Sequence, residues 1–408
     1  MTPVPSSTEI ARRIGPDLVA LRRRLHRAPE IGLDLPDTQA AVLEALADLD
    51  LEVSTGRGLS SVVAVLRGGA PCDGERPVVL LRGDMDALPV AEETDVPYRS
   101  ERAGVMHACG HDLHVAALVG AARVLAEQRE RLVGDVVLMF QPGEEGEAGA
   151  RDMLAEGLLE AAGRRVDVAY AVHVTSAEHA RGTWWGRPGP IMAAADEVHV
   201  VVRGRGGHGS APDRARDPVP VACETVLAWE VALTRQFSVW DPVVLTVGAI
   251  AAGTKDNIIP DDARIAATLR TFSPAQRSRT HEVFTRVARS VAEAHGLTAE
   301  VDIPVGYPVT VNDATEFAAF REVVVDLFGE DRWADMPHPE AGSEDMSFVL
   351  EQVPGAYLFV SACVPEDPQD ADDNHSPRAA FDDSVVPDVA AALAEAALVR
   401  SRSLAARP

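Results

Sequence analysis

The sequence predicts an α/β protein in which a helix-flanked, mostly parallel sheet carries a smaller inserted domain of βαββαβ order. Three observations carry this. The chain has 408 residues, beyond the roughly 250–300 at which single cores stop growing. Helical and extended patterns alternate up to Val174, as in a parallel sheet with crossover helices. Two proline-glycine interruptions, Gly186-Arg-Pro-Gly-Pro and Pro304-Val-Gly-Tyr-Pro, then bracket a stretch of different order.

In chain order, Glu9 to Arg27 reads as a helix, and Ser61 to Leu66 and Pro77 to Leu81 as extended runs. A helix over Leu113 to Gln128 follows, then strands over Asp135 to Phe140 and Val168 to Val174. After the first interruption come a strand from Glu197, a helix from Pro218 to Arg235, strands over Val243 to Ile250 and Ala263 to Phe272, a helix from Pro274 to His295 and a strand over Thr298 to Ile303. That order is the ferredoxin-like one. Segments Thr315 to Leu327, Ala356 to Ala362 and Pro387 to Arg400 complete the main domain. The expected partition is residues 1–190 with 305–408 as the main domain and 191–304 as the small one.

Composition narrows the class. A formal charge of −25 argues against nucleic acid or an anionic membrane as partner. No apolar run reaches the ~18 residues of a membrane helix, the first residues lack a leader's apolar core, and four scattered cysteines suggest a reducing compartment. The expected location is the cytoplasm.

The chemistry concentrates in a few segments. Met106-His-Ala-Cys-Gly-His-Asp-Leu-His places a thiol, three imidazoles and a carboxylate within nine residues, and Phe140-Gln-Pro-Gly-Glu-Glu-Gly follows an apolar run with paired carboxylates. In an extended stretch Cys109 and His111 would face the same side, whereas the neighbours Glu144 and Glu145 would diverge, one to bind metal and one to carry a proton. His173, near the end of a strand, and His375, in a polar loop, add imidazoles. Each has a plainer reading alone: a buried thiol, a core histidine, solvated turn residues. Together they are the ligand types of zinc and related divalent ions, and strand ends are where sites form in open α/β sheets. Gly204-Arg-Gly-Gly-His-Gly matches the spacing of a dinucleotide loop, but Ala211-Pro-Asp-Arg-Ala-Arg-Asp-Pro prevents a helix from starting there.

Seven motifs, Arg82-Gly-Asp-Met-Asp-Ala-Leu-Pro, Met106-His-Ala-Cys-Gly-His-Asp-Leu-His, Gln141-Pro-Gly-Glu-Glu, Gly206-Gly-His-Gly-Ser-Ala-Pro, Gly253-Thr-Lys-Asp-Asn-Ile-Ile-Pro, Gly342-Ser-Glu-Asp-Met and Asn374-His-Ser-Pro, occur in an order that resembles the M20 peptidase family of metallo-amidohydrolases. The branch resembled is that of hippurate and auxin-conjugate hydrolases, and the likeness begins at Leu21-Arg-Arg-Arg-Leu-His-Arg-Ala-Pro-Glu.

The resemblance implies a small dimerisation or lid domain, a homodimer, and two divalent ions per subunit, manganese or zinc with cobalt or nickel as options. Cys109 would bridge the ions, with His111 and His173 on one and Glu145 and His375 on the other. The broader superfamily uses a His-x-Asp ligand and a bridging aspartate; here Asp84-Met-Asp86 lacks that histidine. Asp86 then either orients a ligand imidazole or caps a strand end. Asp112, His107 and His114 support the ligands or are polar residues at a helix start. Glu144 would be the proton carrier and His208 the donor to the oxyanion, while Asn257 and Arg270 would hold the substrate's free carboxylate; Arg270 is otherwise a surface charge. The implied reaction is hydrolysis of an N-acyl amino acid. A deacetylase or dipeptidase of the same family, or a catalytically silent metal- or ligand-binding relative, is the alternative.

Overall fold

The computed structural model describes residues 5–406. The chain divides into two compact units: Met1–Gly189 with Val311–Pro337 and Phe348–Pro408, and Pro190–Thr310 with His338–Ser347.

In the first unit an eight-stranded sheet runs in the order Glu52–Thr55, Val62–Arg67, Asp135–Gln141, Val78–Asp84, Val168–Thr175, Gly355–Ser361, Trp184–Gly186, Trp333–Asp335. Its four central strands are joined by parallel pairings, with antiparallel pairing confined to the flanks. Strands covered on both faces have no solvent side to alternate with. Val78–Asp84, Asp135–Gln141 and Gly355–Ser361 are accordingly buried throughout.

Helices Ser7–Arg27, His111–Glu127 and Val386–Ala405 share the large core with this sheet. Their crossing depends on small residues: a Cβ at Gly120 would stand 2.6 Å from Leu18 Cδ1 and 2.7 Å from Ala390 Cβ. Any side chain there would push the helices apart. Trp184 stacks on Phe328 and Trp185 on Phe359, so both tryptophans are packing residues.

The second unit is a four-stranded antiparallel sheet in the order Val243–Ala252, Asp262–Thr271, Ala194–Arg203, Thr298–Asp302. Burial alternates along its two central strands, as expected when one face meets a core. Helices Pro218–Gln236 and Pro274–Ala294 contribute to that core, where Trp229 stacks on Phe284 at 5.2 Å and donates to its carbonyl.

The units differ from the expected partition in the second half of the chain. Residues 338–347, expected in the main domain, belong to the second unit because Ala193 N–H donates to the carbonyls of Glu340 and Gly342 and Glu340 N–H to that of Ile191. The return segment likewise stays with this unit to Thr310, held by Ala195 N–H on the Tyr307 carbonyl and by Asp196 on Gly306 N–H.

Candidate metal centre

The candidate ligands lie where three parallel strands end. Val78–Asp84 runs into Asp86, Asp135–Gln141 into Glu144 and Glu145, and His173 stands near the end of Val168–Thr175. Cys109 and His111 converge differently from the expectation of an extended stretch. Gly110 has φ of +80°, and His111 is the first residue of a helix. A Cβ at Gly110 would fall 2.4 Å from Val174 Cγ2, so the left-handed turn and the close packing both demand glycine.

Two ligand sets meet at the buried thiol. Cys109, His111 and His173 offer donor atoms within 4.8 Å of one another, and so do Cys109, Glu145 and His375. Cys109 Sγ is 3.4 Å from His173 Nε2 and 3.2 Å from His375 Nε2, and Glu145 Oε1 is 3.4 Å from His375 Nε2. Ligand atoms sharing one tetrahedral ion, with bonds of about 2.1–2.3 Å, stand about 3.5 Å apart.

The rear of each imidazole sets its tautomer. His111 Nδ1 donates to the Asp86 carbonyl at 2.9 Å and His173 Nδ1 to that of Val174 at 2.7 Å, so in both rings Nε2 is the nitrogen left to face the site. Among the described residues His111 Nε2 is buried with no hydrogen-bond partner and stands 3.5 Å from Asp84 Oδ2. His375 adopts φ of +71° and anchors its N–H on the Ala108 carbonyl, a strained turn of the kind retained at functional positions.

The paired glutamates do not diverge. One carboxylate oxygen from each lies within 4.8 Å of a His111 ring nitrogen, because the strand ends at Gln141 and a turn, not a pleat, carries Glu144 and Glu145. Asp86 holds that turn, its two carboxylate oxygens accepting the N–H groups of Glu144 and Glu145 at 3.0 Å each. Its backbone carbonyl orients the His111 ring, and its carboxylate, 3.6 Å from the same Nδ1, also holds the glutamates.

Neighbouring polar residues sort themselves by their bonds. His114 accepts from Val174 N–H through Nε2 and bonds Asp84 through Nδ1, so both ring nitrogens are engaged. Asp112 ties its helix to the N-terminal one through Arg22 Nε at 2.8 Å and His26 Nδ1 at 2.7 Å. The His107 ring is buried with no hydrogen-bond partner among the described residues, and that burial pushes its imidazole down to about 3.

The donor set fits divalent cations. Burial opposes ionisation of the Cys109 thiol, yet the surrounding imidazoles of His173, His111 and His375 hold it well below its ordinary range. His375, bonded to Cys109 and Glu145, is pushed up to about 10. Thiolate and protonated imidazole hold one another here through protons that a metal ion displaces on binding.

The remaining expected residues lie in the second unit. His208 and Asn257 are exposed and adjacent, since Ile258 pairs with His208 and Gly209 N–H donates to the Asn257 carbonyl. His208 Nδ1 accepts from Ser210 N–H at 3.1 Å, which puts the ring proton on Nε2 as a free donor. Arg270 is half-buried near the end of Asp262–Thr271 and donates to Ser343 Oγ at 3.0 Å. The sequence reading assigned no role to Ser343.

Residues 80–399 match peptidase family M20/M25/M40. Thermostable carboxypeptidase 2 of Saccharolobus solfataricus is 37% identical over 347 residues, covering 84% of this chain and 85% of its own. Hippurate hydrolase of Campylobacter jejuni is 36% identical over 343 residues, covering 83% and 86%. Among solved structures, the Bacillus subtilis YXEP protein, described as a dinuclear metal binding peptidase of the M20 family, superimposes with a TM-score of 0.81 at 29% identity, covering 96% of this chain and 99% of its own.

Proposed function

The chain belongs to peptidase family M20/M25/M40 and is a metal-dependent amidohydrolase; from that premise we propose that it hydrolyses N-acyl amino acids to a carboxylic acid and a free amino acid. The observation that carries the proposal is the meeting of two ligand sets on Cys109 with the carboxylate of Glu144 beside His111. Two divalent ions, manganese or zinc, would be held by Cys109 with His111 and His173 and by Cys109 with Glu145 and His375. When bound, they supply a water that ionises near neutral pH.

The protein's own residues do the rest. Glu144 takes a proton from the attacking water and delivers it to the departing amine. His208 donates Nε2–H to the carbonyl oxygen as it becomes an oxyanion. Arg270 and Asn257 hold the free carboxylate of the amino acid, a task suited to the planar guanidinium fork. Both named relatives support a carboxylate beside the cleaved bond: hippurate is an acylated glycine, and a carboxypeptidase cuts next to a terminal carboxylate.

The protein acts as a cytoplasmic homodimer paired through the second unit. Val219, Leu227 and Val231 are exposed apolar residues on helix Pro218–Gln236, and a second copy of the same face would cover them. Among the described residues no helix is long and apolar enough to cross a membrane. Light scattering should return twice the 43.4 kDa chain mass.

The test is release of free amino acid from N-benzoyl, N-acetyl, N-indoleacetyl and N-palmitoyl amino acids and from dipeptides, by protein stripped with chelator and reloaded with manganese or zinc. Metal-dependent release is expected, with two ions bound per chain. Folded protein that binds both ions and releases nothing from any substrate would be a silent relative instead.

A further inference from the structure

Of the five candidate ligands, His375 has the least packing to hold it. It stands on a loop with 55% of its side chain exposed, and its φ of +71° is a conformation that persists only where neighbours impose it.

The residue before it supplies a hold. Asn374 Oδ1 lies 2.8 Å from the Ser176 backbone nitrogen, which can only donate, so this atom is the amide oxygen and the NH2 group points the other way. There Nδ2 stands 3.2 Å from the Val174 carbonyl oxygen, 3.5 Å from that of Cys109 and 3.7 Å from Cys109 Sγ, all of them acceptors. Ser176 Oγ, 3.0 Å from Asn374 Oδ1, also reaches the Asp372 carbonyl at 2.8 Å and so grips the same loop two residues earlier.

One amide thus joins three ligand segments: the strand end of His173, the turn of Cys109 and, through its own backbone, the loop of His375. The strand end is fixed without it, because Val174 pairs with Val360 and His114 Nε2 accepts the Val174 N–H at 2.9 Å. The anchor is therefore rigid, and the loop is what the amide restrains.

We propose that Asn374 is a positioning residue of the metal centre: its NH2 donors lock the exposed His375 against the buried thiol, and the affinity for the ion of Cys109, Glu145 and His375 depends on them. The proposal rests on the two-ion reading above and adds a residue outside the ligand set. No bond changes at Asn374; it acts through His375 and Cys109.

An isosteric exchange separates bonding from packing. Asn374→Asp keeps the size of the side chain and the acceptor facing Ser176, but sets a second acceptor against the Val174 carbonyl and the thiolate; Asn374→Ala removes both arms. Calorimetric titration of the chelator-stripped proteins with manganese follows both ions without turnover. Wild type should bind two. In both variants one ion should bind about ten- to a hundredfold more weakly, the usual effect of losing a ligand's support, with aspartate no better than alanine. The other ion should keep its wild-type affinity, and the weakened one should be the ion that His375→Ala loses. Stripped variants should melt close to stripped wild type. Wild-type affinities in Asn374→Asp would reduce Asn374 to filling space, equal weakening of both ions would detach its effect from His375, and stripped variants that no longer fold would make it a determinant of the fold; each result overturns the role. Wild type that binds fewer than two ions sinks the two-ion reading itself, and this proposal with it.

Discussion

In the first unit the candidate ligands are braced from behind: His111 and His173 through Nδ1, the glutamate pair through Asp86, His375 through its backbone N–H. In the second unit His208 and Asn257 stand exposed, and among the described residues Arg270 has one side-chain hydrogen-bond partner, Ser343. The contrast separates two tasks. Ions that stay bound through turnover reward a rigid, pre-organised cage. A substrate that must arrive and leave is better met by groups whose hydrogen-bonding capacity is still free.

The most severe way to break the contrast is to remove the proton carrier and leave the cage intact. Glu144→Ala should lower kcat about a thousandfold, the scale of general acid–base catalysis. Metal analysis should still find two ions per chain. A variant that loses an ion along with activity would make Glu144 a ligand.

Arg270→Ala tests the other side. Its KM for a free-carboxylate substrate should rise about a hundredfold, with little change on the methyl ester, since a bidentate charged contact is lost. Equal losses on both substrates would remove Arg270 from recognition.

Asp86→Ala should act on the cage through the backbone. With the Glu144 and Glu145 N–H groups no longer held, metal affinity should fall about ten- to a hundredfold, the usual effect of losing a ligand's support. Titration calorimetry of the stripped protein reads this without any turnover. Unchanged affinity would mean that the turn holds itself.

The two regions were also unequally legible in the sequence. Continuous apolar runs such as Val78-Val-Leu-Leu and Val136-Val-Leu-Met-Phe announce buried parallel strands, and alternation announces the small sheet. Ligand types are legible because few other tasks require thiol, imidazole and carboxylate together. Their directions are not, because side-chain alternation holds only inside a strand, whereas the glutamates sit in a turn beyond one and Cys109 and His111 stand at the start of a helix. The glycines flanking them, Gly110 and Gly143, both at positive φ, were the available signal of a turn. Helix Pro36–Leu46 went unread although Pro36 marks its first turn. Ser343 lies in the motif Gly342-Ser-Glu-Asp-Met, but its contact with Arg270 is not legible there: residues 338–347 join the second unit through backbone hydrogen bonds that no side-chain pattern records.

Gly110→Ala should cost about 1–3 kcal/mol of stability, from a left-handed φ and a methyl group driven against Val174. Calorimetry of the stripped and the metal-loaded protein should show a larger loss for the loaded form, because the same turn aims both Cys109 and His111. Equal losses would confine Gly110 to packing.

The smallest effect concerns the charge cluster that leaves Arg270 free. Burial would raise the Asp196 carboxyl, but Arg277, His281 and Gly306 N–H hold it well below the usual carboxylate range. A carboxyl depressed by folding contributes stability that is present above its unfolded value of about 3.9 and lost as pH falls below that towards the folded value. The second unit should therefore lose stability as pH falls below about 4, and Arg277→Gln should flatten that slope while lowering stability at pH 7. The same variant leaves Asp196 with acceptor sites to offer Arg270, so the KM for free-carboxylate substrates should rise a few-fold with the ester unaffected. A normal KM alongside a flattened acid slope would show that Arg277 supports the fold but does not keep Arg270 available.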